Sequence, residues 1–254
     1  MEPNIISEKE FNYIDYGKGS PIILLHGLMG SLSNFKSCIN TLPKKGYRVI
    51  MPILPIYDLP LLSTNAKELS LFLEKFITYM KLNNFFLLGN SLGGHVGLIF
   101  SKMFPKKIAG LILTGSSGLY ENSLGGSFPK RGDYDFIKKK TQEVFFDPKH
   151  ANKQLVDEVF ETINSRSKLI KILAMAKSAM RHNMKKDLCH IMTPTCLIWG
   201  ENDKITPPNV AKEFERLLPN AKLFWIKKCG HAPMMEHSEK FNTIFVNWAK
   251  KIKA

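Results

Sequence analysis

Short apolar runs alternating with helix-like segments set the frame for this chain. "SPIILLHG" (20–27) is apolar at consecutive positions, as in a central parallel strand covered on both faces. "FNYIDYG" (11–17) instead alternates apolar and polar residues, the pattern of a half-exposed strand. Further strands are expected at "YRVIMPI" (47–53), "FFLLG" (85–89), "IAGLILTG" (108–115), "TPTCLIWG" (193–200) and "AKLFWI" (221–226). Helices fit between them at 34–45, 63–82, 92–103 and 208–217, with a final one at 239–252. In the second, Leu69, Phe72, Leu73, Phe76 and Met80 recur at helical spacing behind capping residues.

This alternation breaks once. From Ser116 to about Asp133 the chain is rich in Gly and Ser, and helix-like segments follow at 134–146, 150–163 and 166–184. Strand–helix alternation then resumes at 193. The pattern argues for an α/β fold: one doubly wound, mostly parallel sheet with a helical insertion. Residues 1–115 and 191–254 would form the core domain and 116–190 the insertion. With 254 residues, 44% of them hydrophobic, the chain is long enough for one large core.

Ligands in such sheets bind beyond the carboxyl ends of the strands. Ser91 stands at that place, in "GNSLGG" (89–94), between an apolar strand and an apolar helix. A sharp strand-to-helix turn lifts the serine hydroxyl above the sheet and is crowded at the positions two before and two after it. Gly89 and Gly93 meet that need, and Gly94 lets the helix pack closely. The alternative is a glycine-rich turn with a capping serine.

A serine hydroxyl is a weak nucleophile until a base takes its proton. His231 follows the strand ending near 226, in the loop "CGHAPMMEH", on the rim expected for Ser91. His26 ends a central strand and reads as a structural residue of its turn. His95 lies inside the helix after Ser91; His150, His182 and His190 fall in or beside the insertion; His237 lies near the last helix. The base in turn needs a carboxylate to orient it. Asp203 in "LIWGENDKITP" lies just past the strand 195–199, with Glu201 as the fallback.

Composition narrows the alternatives. The net charge is +14, and 31 of the 36 basic residues are lysine, scattered along the chain. Base-reading nucleic-acid sites favour arginine, so a solvated basic surface is the reading and no nucleic-acid partner is expected. Cys38, Cys189, Cys196 and Cys229 show no CxxC spacing, and the histidines form no zinc pattern. Neither a metal nor a cofactor is expected. No apolar run approaches the roughly 20 residues that span a bilayer, so no membrane insertion is expected. The N-terminus has no apolar secretory core, which makes a cytoplasmic location the expectation. Monomer and homodimer both fit the pattern.

The order Ser91…Asp203…His231, with "HGLMGS", "GNSLGG", "IWGENDKITPP" and "CGHAPMMEHSEKF", resembles the α/β-hydrolase superfamily from about residue 11 to 252. The resemblance implies Ser91 as nucleophile, His231 as base and Asp203 as acid. It implies an oxyanion hole from the backbone N–H groups of Leu28 and Leu92. The insertion looks like the cap that shapes the substrate pocket. Met29 and Ile205 are pocket candidates beside these groups, and Asn90 is the elbow residue that could bear on substrate. A serine nucleophile suits acyl chemistry: a serine hydrolase of carboxylesterase type acting on a small apolar or aromatic acyl compound.

"GNS" with "CGH…EH" also looks like the branch that hydrolyses C–C bonds of aromatic ring-cleavage products, although Ala232 stands where that branch usually has Trp. An acyltransferase, and a slowly turning-over ligand receptor on the same fold, are further readings. Within the insertion, Leu169, Ile172, Leu173, Ala176 and Met180 form an apolar stripe. Part of it could line a pocket, with Met175, Met180 and Met184 as an adaptable wall. Gly125 and Gly126 could hinge the lid.

Overall fold

The computed structural model describes residues 4–120 and 130–253. Gly125 and Gly126 therefore lie outside the described residues. Strands β1 (Ile6–Glu8), β2 (Phe11–Tyr16), β3 (Ser20–Leu25), β4 (Tyr47–Pro52), β5 (Phe85–Asn90), β6 (Ile108–Thr114), β7 (Thr195–Gly200) and β8 (Ala221–Ile226) form one sheet. Its order is β1-β2-β4-β3-β5-β6-β7-β8. The pairings from β4 to β8 are parallel; β1 and β2 add an antiparallel edge.

Strand burial explains the continuous apolar runs. Ile23, Leu25, Leu87, Leu111 and Leu113 face one layer, with helices α2 (Ala66–Tyr79), α3 (Leu92–Met103) and α7 (Pro208–Leu217). The alternate residues Ile22, Leu24, Phe86, Leu88 and Ile112 face the other, with α1 (Lys36–Thr41) and α9 (Ser238–Lys253). Successive strand side chains point to opposite faces, so a strand covered on both sides must be apolar throughout. The inserted helices α4 (Tyr134–Gln142), α5 (Lys153–Asn164) and α6 (Arg166–Arg181) lie between β6 and β7 in the chain. They share a small core of Ile137, Ile163 and Ile172.

Several boundaries differ from the sequence expectation. The helix expected at 34–45 is divided into a 3-10 turn at Leu32–Phe35, α1, and a second 3-10 turn at Leu42–Lys45. Pro43 lies in that second turn and has no N–H for a continuing helix. Helix α2 starts at its Asn65 cap, whose side chain accepts the Glu68 N–H at 2.9 Å, and not at Ser63. Helix α4 stops at Gln142, and just beyond it Val144 O accepts the His231 N–H at 2.8 Å. Neither β1 nor the four-residue helix α8 (Pro233–Glu236) was expected. Both are too short to show a period.

The chain switches direction at the middle of the sheet. It passes from β3 to β4 on one side and returns to β5 on the other. The carboxyl ends of β3 and β5 therefore border the crevice where ligands bind in open α/β sheets.

Candidate active site

Ser91 occupies the turn between β5 and α3 with φ 53° and ψ −118°. A positive φ on a serine is backbone strain held by its surroundings. Its N–H donates to Thr114 O at 3.1 Å, and its carbonyl accepts from His95 and Ser117 N–H, both at 3.2 Å. The turn is tight enough that a Cβ on Gly93 would fall 2.2 Å from Leu25 O. Small residues at the elbow are thus a requirement of packing.

His231 and Asp203 come together although 28 residues separate them. His231 Nδ1 lies 2.9 Å from Asp203 Oδ2, with the residues 6% and 3% exposed. Asp203 accepts three more hydrogen bonds: Ile205 N–H at 2.8 Å and Thr206 N–H at 3.0 Å on Oδ1, and the Thr206 hydroxyl at 2.9 Å on Oδ2. This carboxylate is fixed in orientation by its own turn. Glu201, the fallback, is exposed.

Leu28 and Leu92 follow the ends of β3 and β5. Among the described residues neither N–H has a backbone acceptor, and Leu92 begins α3, where helix N–H groups are unsatisfied. His26 anchors the first of these loops. Its Nε2 accepts the Leu54 N–H at 3.1 Å and its Nδ1 lies 2.9 Å from Gly27 O. Burial lowers its pKa, so the ring is a neutral brace. His95 is wholly buried and is 2.9 Å from His182.

A cavity of about 230 Å³ brings the site together. Ser91, His231, Leu28, Met29, Asn90 and Ile205 line its sheet side. The inserted segment supplies the facing wall, mostly apolar, including Phe136, Ile137, Val144, Phe145 and Ile172. The polar side chains there are few, and Lys140 is ion-paired with Glu143 at 2.8 Å. Among the described residues no three His, Cys, Asp or Glu side chains gather as ligands for a metal.

The apolar stripe of α6 divides by role. Ile172 reaches the cavity, whereas Met175 and Met184 pack into the main core and Met180 is 51% exposed. The proposed methionine wall does not exist: none of the three lines the cavity. Phe136, Val144 and Phe145 were not singled out from sequence, because nothing in a helix-like pattern tells which apolar residues stop short of full packing.

The fold and this crevice define a hydrolase of the α/β class. A family model for the alpha/beta hydrolase fold matches residues 20–182 and 126–238, and the chain belongs to that family. An alpha/beta hydrolase enzyme from the metagenome of sediments of the Mar Chica lagoon, Morocco, is 46% identical, with TM-score 0.82, over 99% of this chain and 100% of that one. A 2-hydroxy-6-oxononadienedioate/2-hydroxy-6-oxononatrienedioate hydrolase of Comamonas testosteroni is 26% identical over 259 residues, 92% of this chain and 89% of the relative. Lipase 1 of Psychrobacter immobilis is 26% identical over 240 residues, 86% of this chain and 73% of the relative.

Proposed function

We propose that this hydrolase cleaves a small carboxylic ester or related acyl compound through an acyl-enzyme on Ser91. The observation that carries the reading is the cavity that joins Ser91 to His231 while Asp203 holds the far side of the imidazole. With Nδ1–H donated to Asp203, Nε2 carries the lone pair that takes the Ser91 proton as the hydroxyl attacks the acyl carbon. His231 then returns that proton to the leaving alkoxide. In the second half it activates a water that releases the acid. The Leu28 and Leu92 N–H groups receive the developing oxyanion; one such donor is typically worth about a hundred- to thousandfold in rate.

Residues 116–190 act as the cap in this reading, with the described part closing the pocket over the acyl group. The small apolar cavity suits a short acyl or aromatic group.

A second reading is favoured by the Comamonas testosteroni relative: hydrolysis of a C–C bond in an aromatic ring-cleavage product. The cavity chemistry speaks for the ester. A dienedioate carries two carboxylates, and the one cation among the described lining residues, Lys140, is ion-paired with Glu143. Fluorophosphonate labelling, followed by a panel of p-nitrophenyl esters and a ring-cleavage dienoate, tests both readings. Ser91→Ala should abolish labelling and turnover. Activity of that variant near the parent level would overturn the assignment, and turnover of the dienoate alone would select the second reading.

A further inference from the structure

His231 is held from behind by a seam that the acyl-transfer reading does not use. Glu236, the last residue of α8, is only 9% exposed. Its Oε1 accepts the Gly230 N–H at 2.6 Å. Its Oε2 accepts the Phe146 N–H at 2.8 Å and the Asp147 N–H at 3.4 Å. The next N–H along the chain, that of His231, donates to Val144 O at 2.8 Å. Two consecutive peptide groups of the histidine loop are thus engaged with the segment 144–147 or with the carboxylate that grips it.

The contact is also close. A Cβ on Gly230 would fall 2.5 Å from Val144 O and 2.9 Å from Phe146 N. Val144 and Phe145 line the cavity, as does His231. Helix α8 gives no reason for the carboxylate, since the C-terminal end of a helix favours cations. A buried carboxylate taking three N–H groups is instead a strong fastening.

We infer that Glu236 is a positioning residue, whose carboxylate fastens the His231 loop to residues 144–147 and so holds the base and one wall of the acyl pocket as one unit. This rests on the reading of His231 as the base. Substrate that fills the pocket presses on Val144 and Phe145, and through Glu236 that wall is continuous with the imidazole. The part of the insertion at 144–147, between α4 and α5, stays closed during turnover.

Glu236→Gln tests this, because it keeps size and shape but sets an amide NH2 against either the Gly230 N–H or the Phe146 and Asp147 N–H groups. The full-length variant is expected to fold and to lose about ten- to a hundredfold in kcat on a p-nitrophenyl ester and in fluorophosphonate labelling rate, with KM little changed. Amide exchange across 144–147 should accelerate. Gly230→Ala opens the same seam from the other side and should show the same split between kcat and KM; it decides the matter if Glu236→Gln does not fold. Parent-like kcat and labelling rate with only a lower unfolding midpoint would make Glu236 merely structural and overturn the proposal. A parent enzyme that fails to label would instead overturn the reading of His231, and with it the positioning role.

Discussion

Asn90, the residue before Ser91, holds the loop of His231 from across the sheet. Its Nδ2 donates to His231 O at 3.2 Å and to Thr114 O at 3.0 Å. Both hydrogens of the amide are therefore committed to backbone, although the side chain borders the cavity. The amide thus ties the serine turn to the histidine loop. Asn90→Ala removes one donor from each of two carbonyls, of which Thr114 O keeps the Ser91 N–H, and should cost about 1–3 kcal/mol in all. It should also slow labelling of Ser91. Urea unfolding and fluorophosphonate labelling rates on the same preparation check both effects.

Asp203→Asn should separate orientation from packing. The side chain keeps its size, and its carbonyl oxygen still accepts from the 205–206 turn. The amide NH2 then faces His231 Nδ1 and favours the tautomer with the proton on Nε2, where it cannot accept from Ser91. A loss of about 10⁴-fold in kcat is expected, with the fold intact by circular dichroism. A loss under tenfold would remove Asp203 from the proposed triad.

The legible part of this protein is the part with a short-range signature. Consecutive apolar positions marked β3, β5 and β7, and the elbow glycines marked the tight turn at Ser91. The place of His231 was legible from topology: its loop follows the carboxyl end of a late strand, on the rim where Ser91 lies, and both border one cavity. Other contacts had no such signature. Glu236 looks like an ordinary acid in a loop until Phe146 and Asp147, about 90 residues away, fold against it. The cavity wall was hidden for a related reason. Ile172 and Met175 share one apolar stripe, and only the packing of α6 sends Ile172 to the cavity and Met175 to the main core.

Ile172 offers a test of the pocket. It is 2% exposed and meets Ile137 and Ile163 at the far wall. Ile172→Ala should cost about 2–5 kcal/mol of stability and deepen the cavity. The ratio of kcat/KM for a p-nitrophenyl octanoate over the butyrate should rise by about tenfold, as expected for one or two methylenes gaining a place. An unchanged ratio would move the acyl site away from the inserted helices.

Acid should destabilise the protein through His95, which does no chemistry in the proposed reaction. Its ring is wholly buried in α3 beside His182, and no partner reaches its Nδ1. Burial first, and the neighbouring His182 second, push its pKa down to about 3. In the unfolded chain the group titrates near 6.5. Between those values the unfolded state binds the extra proton, so stability falls as pH drops below about 6.5 and is unaffected by this group above it. At pH 5 the contribution lost is about 2 kcal/mol, from roughly 1.4 kcal/mol per pH unit. His26, with its pKa also lowered by burial, acts in the same direction. Urea unfolding of the parent and of His95→Gln at pH 7.5 and pH 5 measures the term directly. The variant should lose about 2 kcal/mol less than the parent on going to pH 5. An equal loss in both would place the acid sensitivity elsewhere, with His26→Asn as the next comparison.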